Sequence, residues 1–330
     1  MMALPRVGLR KLLKVVGVSL VAFIIIHQLN YKDDYTLASQ ISESIEVIKS
    51  CPRSAPTQSN DPRLEIPDLI HQIWKTANVD TYSIEASHES WKTTFEPMNY
   101  TVKLWTEDDI IGLVKAKYPW LLSTYEGYQQ NIQRADIARL MVVHAEGGIY
   151  ADLDVHPRSV EGISCLQNLG LQGIFASTVG TLGLSNHFFM ARRGSVLLEW
   201  ILYEAKRRAG PRSKIIPLPY LRVFWSTGPM MVTSAFRKYA WMYSTMDYGL
   251  GLLDKSYGSS LTWHEAGRSW HGWDGRLLNY IADHIRVESL WLALSFSVAF
   301  FGLACIMIRR RYDLKSRLYK ATFLSGRTGL

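Results

Sequence analysis

Residues 133–155, QRADIARLMVVHAEGGIYADLDV, leave a folding chain few choices. Over 133–145 the spacing is helical: Ile137, Leu140, Met141 and His144 share one side, and Asp136 and Arg139, three apart, share another. Gly147 and Gly148 end that helix, because the residue just past a helix commonly takes a positive φ, which glycine adopts without strain. The run IYADLDV then reads as an apolar strand with Asp152 and Asp154 at its far end. On an extended chain residues i and i+2 project to one face, so both carboxylates point into one small volume. Two like charges that close are costly unless a cation lies between or beside them, and a divalent ion held through oxygen ligands meets that need. The ends of strands in an open α/β sheet are also where ligands bind.

Each of these features has a plainer reading in isolation. Asp-x-Asp arises by chance and is most often a solvated loop, and an Asp/Arg pair three apart on a helix is usually a surface ion pair. Trp74 reads more readily as core than as a stacking platform, and His264 and His271 as hydrogen-bonded surface residues rather than metal ligands. The helix, the Gly-Gly turn and the buried-looking strand, occurring in one block, favour a site.

The rest of the central region supplies alternating strands and helices. IPDLIHQIWKT (66–76) and YTVKLW (100–105) read as strands, and 83–95 as a helix. Thr106 with Asp109 three residues on makes a capped start for a helix running toward Lys117, ended by Pro119. Strands alternating with helices indicate an α/β sandwich. Residues 30–65 are polar, with Pro52, Pro56 and Pro62 among Ser, Thr, Gln and Asn, and read as a stem.

Two apolar segments bound this region. The second, 289–308, is uncharged and stopped by Arg309, Arg310 and Arg311; it is long enough to cross a bilayer. The first, within 15–29, follows Arg6, Arg10, Lys11 and Lys14 and is marginal; it also fits a signal peptide, but no small-x-small cleavage site follows, which favours an uncleaved anchor. Both basic clusters lie on the outer side, so the positive-inside rule places the tails, 1–14 and 309–330, in the cytosol and the domain between them across the membrane. Those tails contribute +4 and +6 of the net +8, leaving about −2 elsewhere, so the basic balance gives no reason to invoke nucleic acid. Cys51, Cys165 and Cys305 are too few for a disulfide framework; a Cys51–Cys165 bridge is allowed in an oxidising lumen, without support in the sequence. One glycosylation sequon, Asn99-Tyr100-Thr101, adds little alone.

The blocks IPDLIHQIWKT, RADIARLMVVHAEGGIYADLDV, LGLSNHFFMA (182–191), STGPMMVTS (226–234) and GRSWH (267–271), in that order, resemble glycosyltransferase family 32, and within it the fungal catalytic subunits of mannosyl-inositol-phosphoceramide synthase. The resemblance covers roughly 64–310. It implies an α/β GT-A nucleotide-sugar transferase domain over 66–286, with a Rossmann-like mixed sheet flanked by helices, between N-terminal and C-terminal transmembrane helices. It further implies a Mn2+ (or Mg2+) ion, retention of configuration, GDP-mannose as donor, and inositol-phosphoceramide as a membrane lipid acceptor. Carried over by position, Asp154 is a direct metal ligand; Asp152 contacts the donor ribose and sugar, and the metal through water. Asp136 and Arg139 hold the donor sugar. Trp74 packs near the base. Ser269, Trp270 and His271 close over the diphosphate, with His271 completing the metal site and His264 in reserve. Asn186 and the Gly228-Pro229 turn line the acceptor side. The same resemblance implies a Golgi or other secretory-pathway membrane, a lumenal catalytic domain and a small regulatory membrane subunit as partner. The chain departs from relatives at VHPRS (155–159) and RRGS (192–195), so a protein glycan or a lipophilic secondary metabolite stays open as acceptor. From another class, a non-catalytic membrane scaffold with a degenerate transferase domain stays open as well.

Overall fold

A computed structural model describes residues 45–51, 65–177, 183–210, 216, 218–243, 249–265 and 272–276. The two apolar segments, both basic tails and Ser269, Trp270 and His271 lie outside the described residues. Among the described residues no helix is long and apolar enough to cross a membrane. Residues 1–270 form one compact unit; of a second, 271–330, a short helical turn at 273–276 is described.

The first unit is a mixed sheet between helical layers. In chain order its strands are β1 (Ile45–Ile48), β2 (Leu69–Ile73), β3 (Thr101–Trp105), β4 (Gly148–Ala151), β5 (Val155–Pro157), β6 (Gly173–Ser177), β7 (Leu184–Ala191), β8 (Leu250–Leu253) and β9 (Thr262–His264). Its helices are α1 (His88–Phe95), α2 (Glu107–Lys117), α3 (Pro119–Glu126), α4 (Asn131–Glu146), α5 (Val160–Gln167), α6 (Val196–Ala209), α7 (Pro219–Ser226), α8 (Pro229–Met242) and α9 (Lys255–Leu261). Seven strands form one sheet in the order β1-β8-β6-β7-β4-β2-β3, and β5 pairs with β9 in a small separate ribbon. In the large sheet β7 runs antiparallel to both neighbours, and the other pairings are parallel. Two apolar clusters, one around α4, α6 and α8 and one around α1 and α5, cover the two faces. Covered on both sides, the central strands read as near-continuous apolar runs: all four residues of β4, GIYA, are buried.

The helix from Thr106 starts as the sequence predicts: its hydroxyl accepts from the Asp109 N–H, and Asp109 reaches back to the Thr106 N–H. The segment expected as a helix from Ser83 becomes helical only at His88. Part of the expected stem is in the sheet. Ile45–Ile48 pairs in parallel with Leu250–Leu253, because the short apolar alternation supplies an edge strand; 52–64 lies outside the described residues. Cys51, just beyond β1, is joined to Cys165 of α5 with 6.2 Å between Cα atoms, within normal disulfide reach. The bridge closes a separation of 114 residues. Cys51→Ser is therefore expected to lose about 2–5 kcal/mol of stability, read by denaturant unfolding against the oxidised parent. A loss below roughly 1 kcal/mol contradicts a structural role.

The Gly-Gly turn is as anticipated and more constrained. Gly147 has φ 72° and Gly148 φ 105°. A Cβ on Gly148 would sit 2.4 Å from the Leu69 carbonyl oxygen, because β4 enters the sheet directly against β2. Gly148→Ala is expected to cost on the order of 3 kcal/mol, combining strain and overpacking, measured as a drop in thermal unfolding temperature.

Candidate active site

The site assembles where α4 returns into β4. α4 is less amphipathic than its spacing predicts: ten of its sixteen residues are buried, Asp136 and Arg139 among them. A surface ion pair is thereby excluded. Asp136 is 3% and Arg139 5% exposed, at a separation of 3.6 Å. Both Asp136 oxygens are engaged: Asn186 Nδ2 donates to Oδ1 at 2.9 Å and Thr227 Oγ1 to Oδ2 at 2.8 Å. Burial pushes the Asp136 carboxyl up, against Arg139, Thr227 and Asn186, which favour its charged form. Arg139 reaches on to Asp152 Oδ2 at 3.3 Å and the Asn186 carbonyl at 3.1 Å, with its guanidinium 5.4 Å from the Tyr150 ring centroid. Its buried Nε has no hydrogen-bond partner among the described residues.

Asp152 and Asp154 do not share a strand face. β4 ends at Ala151, and the Val155 N–H closes a tight turn on the Asp152 carbonyl at 3.0 Å. The turn, rather than pleating, sets the two carboxylates close enough for Asp154 to raise the pKa of Asp152. Burial is the larger cause; Arg139 and the Tyr150 hydroxyl, which donates to Asp152 Oδ1 at 2.7 Å, oppose it, and the result is a carboxyl pushed up to about 6. Asp154 is 8% exposed and lies close to Tyr82, whose hydroxyl pKa is raised by burial first and by Asp154 next.

The remaining neighbours arrive through register. β7 pairs antiparallel with β4, Ala151 opposite Phe188, so His187 and Asn186 lie alongside the turn and the Asp152 N–H donates to the His187 carbonyl at 2.9 Å. β5 pairs Val155 with His264, which places His264 Nε2 3.5 Å from Asp154 Oδ2. The two imidazoles stack at 4.2 Å between centroids. Burial, then His264, depresses His187 to about 3; burial is also the largest single influence on His264 and lowers it, but the hydrogen bond to Asp154 and the charges of Asp154 and Asp152 together raise it. Trp74 is connected to this cluster by Tyr82, against which it packs edge-on at 4.8 Å, with Nε1 donating to Thr81 Oγ1 at 2.6 Å.

The structure thus brings Asp136, Arg139, Asp152, Asp154 and His264 into one cluster, with Trp74 at its border. Asn186 is not on an open acceptor side: it is buried, its amide committed to Asp136. Gly228-Pro229 caps α8, and Thr227 before it is the residue that reaches the site. Sequence reasoning missed Tyr150, His187, Thr227 and Tyr82. Tyr150, two residues before Asp152, and Thr227, inside a recognised block, carried a signal; Tyr82 carried none.

A divalent cation fits this donor set unevenly. Among the described residues no three His, Cys, Asp or Glu side chains converge on a metal position. Both Asp152 oxygens already accept from protein donors, which disfavours direct coordination, while Asp154 is a carboxylate beside a like charge in a desolvated turn. The residues fit a cation held directly by Asp154, with further ligands from a bound diphosphate.

Residues 72–167 match the family described as "Glycosyltransferase sugar-binding region containing DXD motif". The chain is 29% identical over 268 residues to inositol phosphoceramide mannosyltransferase 3 of Schizosaccharomyces pombe, covering 78% of this chain and 71% of that protein. It is 28% identical over 225 residues to mannosyl phosphorylinositol ceramide synthase SUR1 of Saccharomyces cerevisiae, covering 67% of this chain and 56% of the relative. Among solved structures it overlaps the PaToxG glycosyltransferase with a TM-score of 0.37 and 16% identity, over 66% of this chain and 79% of the other.

Proposed function

We propose that this chain, a glycosyltransferase carrying the DXD-containing sugar-binding region at residues 72–167, transfers mannose from GDP-mannose to the inositol headgroup of inositol phosphoceramide with retention of configuration. The observation that carries the reading is the buried Asp136–Arg139–Asp152 chain ending beside Asp154 at the turn after β4. The similarity to inositol phosphoceramide mannosyltransferases supports the choice of donor sugar and acceptor. The domain is read as GT-A, lumenal in a Golgi or other secretory membrane, between spans at 15–29 and 289–308; the Cys51–Cys165 bridge supports an oxidising compartment.

Bond cleavage leaves negative charge on the departing diphosphate; Asp154 would hold a Mn2+ or Mg2+ ion, whose positive charge would stabilise that anion. Arg139, held by Asp136, Asp152 and the Asn186 carbonyl, supplies a fixed positive charge behind Asp152 on the sugar side of the site. Asp136 holds Arg139 in place, itself held by Asn186 and Thr227. Tyr150 and Arg139 orient Asp152, which accepts from ribose or sugar hydroxyls through its remaining lone pairs. Trp74 and Tyr82 border the base side. The reading assigns no dedicated nucleophile and takes front-face attack by the acceptor hydroxyl, on the face the diphosphate leaves.

The test uses the detergent-solubilised full chain with GDP-mannose, UDP-glucose or UDP-galactose, with Mn2+ or chelator, and inositol phosphoceramide. Mannosylated lipid formed only with GDP-mannose and metal is the expected result. Turnover of GDP-mannose without lipid product overturns the acceptor, and use of another donor overturns the sugar.

A further inference from the structure

We propose that Asn99 is an N-glycosylation site. Of the chain's eight asparagines, it alone stands in an Asn-x-Ser/Thr sequon, Asn99-Tyr100-Thr101. A sequon becomes meaningful when its two reactive residues reach solvent and the chain matures in an oxidising compartment; the fold supplies the first, and the disulfide supports the second independently.

A single turn of 3-10 helix, Glu96–Met98, ends at Asn99, whose N–H closes on the Glu96 carbonyl at 3.0 Å and whose backbone is left-handed, φ 66° and ψ 18°. Asparagine tolerates that conformation better than most side chains. The middle residue points inward: Tyr100 is 8% exposed, packs edge-on against Phe95 at 5.0 Å and donates its hydroxyl to Gln167 Oε1 at 2.5 Å. With Tyr100 anchored, Asn99 and Thr101 on either side of it are both exposed. Glu96, Pro97 and Met98 are exposed too, so the surface around Asn99 is open enough for a bulky glycan.

The position is compatible with activity. Asn99 precedes the first residue of β3, whereas Trp105, the last, adjoins the Trp74 end of β2. The four steps of the five-residue strand separate its ends by roughly 13 Å, which puts a glycan at the end of the parallel strands away from the site. The modification itself is a substitution at an anomeric carbon. The Asn99 amide nitrogen bonds to C1 of an oligosaccharide carried on a lipid diphosphate, the C1–O bond to the diphosphate breaks, and the amide loses one proton as the lipid diphosphate leaves. The host oligosaccharyl transferase supplies the co-reactant and catalysis.

The inference rests on the lumenal placement in the proposed function, and its test separates the two. The full chain is expressed in a eukaryotic secretory host, digested with an amidase that releases N-glycans, and trapped with a thiol reagent. A one-glycan mobility shift is expected in the parent and in Thr101→Ser, and none in Thr101→Ala. Thr101→Ala is preferred to Asn99→Gln because it leaves the left-handed position untouched. An unshifted parent with its disulfide formed overturns the site; an unshifted parent with free Cys51 and Cys165 overturns it through the compartment. A shift that persists in Thr101→Ala also overturns it.

Discussion

Asp154→Asn is expected to lower sugar transfer by about 10²- to 10³-fold while leaving the protein at least as stable as its parent in chelator. The first effect follows from the role assigned to Asp154: one fixed charge contact to a developing diphosphate anion is typically worth that much. The second follows from the turn. Burial first and Asp154 after it push the Asp152 carboxyl up, so neutralising Asp154 relieves a like-charge contact and offsets the loss of its ion pair with His264. The amide keeps the shape of the side chain and removes the like charge. Initial rates with saturating donor, set beside thermal unfolding in chelator, test both arms. Activity within tenfold of the parent removes Asp154 from the chemistry; a large loss of stability assigns it a structural role instead.

Arg139→Ala is expected to be the most destabilising change in the site, by about 3–5 kcal/mol. The side chain is 5% exposed and bridges Asp136 at 3.6 Å and Asp152 at 3.3 Å. Its removal leaves two buried carboxylates uncompensated and a cavity that solvent enters only in part. Arg139→Met combined with Asp136→Asn keeps volume and removes one stranded charge, so it is expected to recover part of the loss, with a coupling of about 0.5–3 kcal/mol. Denaturant unfolding of the two singles and the double gives the number. A cost below roughly 1 kcal/mol for Arg139→Ala would show that water reaches the cluster and that the pair behaves as a surface one.

The legible part of the site is the part written locally. A helix, a Gly-Gly stop and an apolar strand are decided within a few residues, so Asp136, Arg139, Asp152 and Asp154 were identifiable together, and the Thr106 cap was identifiable from one side chain and its partner three residues on. Asp152 and Asp154 were assigned to one strand face because an apolar run gives no sign of where a strand stops; the strand stops at Ala151 and a turn brings the carboxylates together. The status of Asp136 and Arg139 depended on α4 being covered nearly all round, which requires α6, α7 and β7, far away in the chain. His187 and His264 reached Asp154 only through antiparallel registers with β4 and β5.

By itself the sequence determined the local elements around the site, the chemical type of the site and the family it resembles, because hydrophobic period, caps and turn glycines act over single turns and pairs of residues. Only the tertiary structure decided which carboxylates are desolvated, which already have partners, that Asn186 serves Asp136, that Ile45–Ile48 is a sheet edge, and that Cys51 meets Cys165. Those outcomes depend on contacts between residues tens to more than a hundred positions apart, and no local preference encodes such a contact until packing fixes it.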